Sequence, residues 1–161
     1  MNLFLQYQVR WFLSLLFLVV VVPHAYTQTH GYAFAGSTVG IDAPDSNAFR
    51  YGIGGNWGFL RHLTLGGEAG GLHEDGNEGM LASGNVGFHF RGNVETGFDP
   101  FVTAGLTGIY VGGETSGYTN IGGGLNYWFR PRIGFRVEFR GYPGGEDRNG
   151  FSEFRFGIAF R

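Results

Sequence analysis

The sequence has no cysteine, and it also lacks lysine, so that all eleven of its Lys+Arg residues are arginine. Without cysteine, neither a disulfide framework nor a thiolate-bound metal can hold the fold. Charge is scarce too: 15% of residues are charged, the formal net charge is −2 and the isoelectric point is near 6.2. That gives no global attraction to nucleic acid, whose binding proteins usually carry a basic face, and no nucleic-acid partner is expected. Long apolar runs are nearly absent. The exception, Trp11 to Val22, is broken by Ser14, preceded by Arg10 and stopped by Pro23. Its twelve residues fall short of the ~20 of a spanning helix but match the 7–15 of a signal-peptide core. Residues 1–27 are therefore expected to be a signal peptide, cut after Ala25 or Thr27, and residues 28–161 a single mature domain.

What is abundant is glycine, with 31 residues, and aromatic side chains, at 17%. Mean hydropathy is −0.05, a value shared by soluble proteins and by membrane barrels, whose strands average lipid-facing and lumen-facing residues. Pattern has to decide. From Gly31 onward no 3.6-residue apolar period is sustained, whereas period-two segments of about ten residues recur between turn-rich pieces. Strands are expected at 31–40, 51–60, 63–73, 81–91, 101–112, 118–129, 133–142 and 151–161. An even number of strands suits an antiparallel up-and-down barrel. Acidic residues gather in the connections 41–50, 74–80, 113–117 and 143–150, which are expected to be long and external; the alternate connections are shorter. Residues 51–72 align without gaps on 121–142, with Gly52, Gly54, Asn56, Phe59, Glu68 and Gly71 recurring as Gly122, Gly124, Asn126, Phe129, Glu138 and Gly141. Each copy reads as one hairpin, a likeness that shared turn chemistry also explains.

Strand 7 shows the alternation most clearly: Ile133, Phe135, Val137 and Phe139 on one face, Gly134, Arg136, Glu138 and Arg140 on the other. In strand 8, Phe154, Phe156, Ile158 and Phe160 oppose Glu153, Arg155, Gly157 and Ala159. A lipocalin-like soluble barrel, with its apolar side around a ligand, would alternate in the same way. The glycines discriminate. On strand 2 the polar-side positions are Gly52, Gly54, Asn56 and Gly58, and glycine on a solvent face weakens a strand without compensation. Inside a narrow barrel it makes room for long side chains from another wall. The polar side is therefore read as the inside, and the large apolar residues as lipid-facing. Trp57, Phe59, Phe88, Phe90, Phe101, Tyr127 and Phe129 near the short turns, and Tyr51, Tyr110, Tyr118 and Tyr142 at the other ends, suit two aromatic girdles.

The GIGGNWGF and GGGLNYWF strands entering tight turns, followed by alternating strands with an aromatic close, resemble the OmpA-type outer-membrane β-barrel superfamily, which includes opacity-like surface antigens. The resemblance covers residues 28–161. It implies an eight-stranded transmembrane barrel in the bacterial outer membrane, in contact with outer-membrane lipid and inserted by the outer-membrane assembly machinery. The terminal FRFGIAFR places Phe156, Ile158 and Phe160 where relatives carry their assembly signal, although it ends on Arg161 rather than Phe. A monomer is expected, and no external partner is named by the sequence.

Tests for catalysis fail: GxSxG, HExxH and P-loop sequences are missing. The His-x-Ser arrangement of the lipid A deacylase family is missing too, since His62, His73 and His89 are followed two residues on by Thr64, Asp75 and Arg91. His73, Glu74, Asp75 and Glu78 cluster on an expected external loop. Oxygen and imidazole donors of unspecified geometry are more simply a solvated charge patch, so no metal, cofactor or catalytic residue is expected. The sharper feature is the register of the last hairpin. Pairing Arg140 with Glu153 and Glu138 with Arg155 brings Phe139 to Phe154 and Val137 to Phe156, whereas a two-residue slip sets like charges opposite. A lumen ion-pair network of Glu68, Arg91, Arg136, Glu138, Arg140, Glu153 and Arg155 is expected. The function expected is non-enzymatic, structural or surface-interacting through the loops, with a plugged lumen. A secreted or periplasmic lipocalin-like binder of an apolar ligand and a lipid-modifying outer-membrane enzyme are the alternatives.

Overall fold

In the computed structural model, residues 28–40, 48–74, 76–91, 95–143 and 150–161 are described. The expected signal peptide lies outside them. Eight antiparallel strands follow one another: β1 (His30–Gly40), β2 (Phe49–Gly58), β3 (Leu63–Glu74), β4 (Asn77–His89), β5 (Gly97–Val111), β6 (Glu114–Arg130), β7 (Ile133–Tyr142) and β8 (Phe151–Phe160). Each pairs with the next, and β8 returns to β1 through pairs from Gly31↔Phe160 to Gly40↔Phe151. Closure leaves no unpaired edge, the condition for a sheet to exist in lipid.

Two of the expected loops are not loops. Acidic residues at 74–80 and 113–117 suggested solvated connections, but the strands continue through them to Glu74↔Asn77 and Val111↔Glu114. The second turn is made by Gly112 and Gly113 alone, at φ 61° and 91°, the pair of left-handed residues that a type I′ hairpin needs. A charged side chain near a strand end solvates itself without interrupting the ladder, so charge was a poor guide to strand ends. The long connections that remain, 41–48 and 143–150, join β1 to β2 and β7 to β8.

The barrel is turned inside out relative to a soluble one. Outward positions are apolar and exposed, such as Met80 at 70%, Leu106 at 67% and Phe156 at 58%, while Glu138 and Arg140 are each 1% exposed and Glu153 0%. The lipocalin-like alternative needs the reverse. Not every aromatic joins a girdle: Phe101 and Tyr142 are 3% and 1% exposed and point into the lumen, because they share the strand faces of Thr103 and Arg140 respectively.

The inner glycines explain how such a lumen is filled. A Cβ at Gly54 would lie 2.6 Å from the Tyr32 ring, one at Gly52 2.9 Å from the Phe34 ring, and one at Gly124 2.6 Å from the Phe101 ring. At Gly36 it would meet the Arg155 stem at 3.1 Å, and at Gly122 the Glu138 carboxylate at 3.2 Å. Glycine on one wall is the space occupied by a large side chain from the next. Outward-facing Gly84 and Gly117 have nothing within 4 Å, whereas outward-facing Gly31 and Gly71 give room to the Phe160 and Tyr51 rings of the adjacent strands.

Candidate functional site

The buried interior, among the described residues, holds four guanidinium groups, of Arg50, Arg136, Arg140 and Arg155, and four carboxylates, of Glu68, Asp99, Glu138 and Glu153. The balance matters because an uncompensated charge in a confined site costs several kcal/mol, on the order of 3–5. Glu68 is the centre. Arg140 grips it with two bonds, Nη1 to Oε2 at 2.6 Å and Nη2 to Oε1 at 2.8 Å. Arg155 donates to Oε2 at 3.0 Å and the Tyr32 hydroxyl to Oε1 at 2.6 Å. Such bidentate, charge-assisted bonds are the strong ones.

From that centre the network runs both ways. Toward the long connections, Arg155 donates to Glu153 and to the Tyr142 hydroxyl, both at 2.8 Å; Tyr142 in turn donates to Glu153 at 3.0 Å, and Arg50 reaches Glu153 at 3.5 Å. Toward the short turns, Arg140 donates to Glu138 at 2.6 Å and Arg136 to the same carboxylate at 3.0 Å. Arg136 also donates to Asn126 at 3.2 Å, Asn126 to Asp99 at 3.1 Å, and Asp99 holds His89 Nδ1 at 3.0 Å. The aromatic rings that the glycines admit cover the cations: Arg136 lies 4.0 Å above Phe101 and 4.3 Å above Tyr32, and Arg155 4.4 Å above Phe34. A guanidinium sandwiched this way keeps its in-plane donors for carboxylates while its faces gain cation–π attraction.

The expected register of β7 and β8 is the one present, with Glu138↔Arg155, Phe139↔Phe154 and Arg140↔Glu153. The ion pairs do not follow it. Glu138 bonds Arg136 and Arg140 on its own strand, and Arg155 bonds Glu68 and Glu153. Long side chains in a narrow lumen extend toward its middle, where the far wall is as near as the adjacent strand. Glu68, Arg136, Glu138, Arg140, Glu153 and Arg155 meet in this network, but Arg91 does not. It is exposed in the turn after β4 and donates to the Phe98 carbonyl, since β4 ends at His89 rather than continuing to residue 91. Arg50, Tyr32, Asn126, Asp99 and His89 were missed. The signal for Arg50 and Asp99 was available, because period two carried back from Gly52 and Thr103 puts both on the inner face. Phe156, Ile158 and Phe160 face outward on β8, exposed by 50–58%. Of the acidic patch, His73 pairs with Glu78 and Glu74 with Asn77; Asp75 is outside the described residues.

Closed eight-strand topology, an apolar exterior and a charged interior define an eight-stranded antiparallel barrel with the fold of outer-membrane β-barrels. Solved structures agree. The N-terminal β-barrel domain of Pseudomonas aeruginosa OprF superposes with a TM-score of 0.66 at 24% identity, covering 83% of this chain and 98% of that domain. Neisserial surface protein A gives a TM-score of 0.56 at 15% identity, over 82% of this chain and 94% of that one. The outer-membrane enzyme PagL gives 0.55 at 16%, over 81% and 98%. No family model matches the sequence, and no curated protein matches it significantly.

Proposed function

We propose that the chain is a non-enzymatic outer-membrane protein of structural or surface-interaction type, whose lumen is closed by its own side chains. The observation that carries this is the Arg140–Glu68–Arg155 junction, which joins β3 to β7 and β8 across the barrel interior. A lumen crossed by these charge-assisted bonds supports occlusion better than conduction, because passage of an ion would require breaking them in sequence. Interaction would then fall to the connections 41–48 and 143–150, whose flanking strand ends, Gly40 and Phe151, pair with each other. Phe156, Ile158 and Phe160, lipid-facing on β8, are the proposed contact for the assembly machinery.

An enzymatic reading has one feature in its favour, the carboxylate–imidazole pair of Asp99 and His89, and PagL has a similar fold. Yet His89 is 1% exposed, and among the described residues no serine or threonine hydroxyl is hydrogen-bonded to it. Steady-state recordings in planar bilayers test the proposal: folded protein should give no large, stable conductance. A persistent open pore from the unmodified chain would favour transport instead.

A further inference from the structure

The two rims of the barrel carry opposite charge, and the interior network does not account for it. At the short-turn end each connection begins on one pattern, an apolar residue and then arginine: Phe59-Leu60-Arg61 between β2 and β3, Phe90-Arg91 between β4 and β5, and Phe129-Arg130-Pro131-Arg132 at the passage from β6 to β7. Strand β8 closes likewise, on Phe160-Arg161. Because the strands are consecutive around a closed barrel, these corners are spread around the whole rim. Arg61, Arg91, Arg130 and Arg132 are exposed, and among the described residues none of them makes an ion pair. The acids at this end are Glu95 and Asp99, and Asp99 is 0% exposed and bonded to His89 and Asn126. Gly92, Asn93 and Val94 add no charge. At the opposite rim the described charged side chains outside the lumen are Glu74, Glu78 and Glu114.

We infer that the short-turn rim is a binding surface for anionic glycerophospholipid headgroups in the leaflet it touches; this rests on the membrane reading above. Three features favour lipid over a soluble polyanion. Leu60, Phe90, Phe129 and Phe160, beside the arginines, are 42–57% exposed, which suits the interfacial zone. One residue of strand rise, about 3.3 Å, sets the following arginine beyond these apolar residues, on the water side of them. Distribution around the rim suits many separate headgroups rather than one compact ligand. Guanidinium forks match phosphate oxygens, and a long apolar stem lets an arginine pass apolar surface while its charged head stays among headgroups.

The test is competitive lipid association. The full chain is reconstituted in phosphatidylcholine vesicles, and in mixtures with phosphatidylglycerol, with brominated forms of either lipid quenching Trp57, which lies on β2 next to this rim. The expected preference for phosphatidylglycerol is about fivefold, the factor one arginine contributes at an anionic surface, and it should shrink at high salt. A chain carrying Arg61→Gln, Arg91→Gln, Arg130→Gln and Arg132→Gln should show a preference near one, while Glu74→Gln, Glu78→Gln and Glu114→Gln together should leave it unchanged. Failure to enter phosphatidylcholine vesicles sinks the membrane reading and this inference with it. Entry with no lipid preference, or a preference that survives the four arginine changes, overturns the inference alone. Arginine-dependent binding of soluble polyglutamate without a lipid preference would reassign the rim to a soluble polyanion and equally overturn it.

Discussion

The hairpins β2–β3 and β6–β7 are two versions of one design. Both pair in the same register, Gly54↔Glu68 in one and Gly124↔Glu138 in the other, with Asn56↔Gly66 matching Asn126↔Arg136. Both place a glutamate on the inner face. They differ in what stands beside it: Glu68 is flanked on its face by Gly66 and Gly70, Glu138 by Arg136 and Arg140. Because the copies are four strands apart in an eight-stranded ring, the bare glutamate of the first lies across from the arginines of the second. Arg140 therefore bridges both carboxylates, donating to Glu68 and to Glu138. A repeat that kept arginine in both copies would crowd the lumen with cations, and one that kept glycine in both would leave a cavity. The difference between the copies is what lets the lumen be filled and neutral.

The comparison predicts that the two glutamates are not equivalent. Glu68→Gln takes a carboxylate from two arginines at once, leaving Arg140 only Glu138 and Arg155 only Glu153, and should lower barrel stability by about 3–5 kcal/mol, read from urea unfolding in lipid by the shift in gel mobility. Glu138→Gln should cost less, since Arg136 retains Asn126 and two ring faces. A larger loss at Glu138 would reverse the assigned centre. Next in size, a double-mutant cycle between Glu68 and Arg140 should give a coupling of about 1–3 kcal/mol. The cycle between Glu138 and Arg155, paired in register but not hydrogen-bonded to each other, should give much less. Comparable couplings would mean that adjacent-strand pairing, and not reach across the lumen, sets the network. Smaller again is the glycine contrast. Gly54→Ala, which must displace the Tyr32 ring, should cost about 1–3 kcal/mol, whereas Gly84→Ala on the open outer face should be neutral or stabilising by up to about 1 kcal/mol. Equal effects at the two positions would show that the lumen is looser than the contacts indicate.

Period-two patterning determined by itself that the chain is an eight-stranded barrel with its charged face inward, because alternation and glycine placement are local properties of each strand. The register of β7 and β8 was likewise legible, since neighbouring strands must avoid like charges and a one-residue slip inverts every face. Strand ends were less so: Glu74 and Glu114 read as loop, and Arg91 as strand, because charge reports solvent and not hydrogen bonding. Only the closed tertiary structure decided which arginine meets which glutamate. Glu68 is separated from Arg140 by 72 residues and from Arg155 by 87, and nothing in strand alternation measures the distance across a lumen. That distance follows from closure, and from the glycines and rings that set how far each side chain must reach.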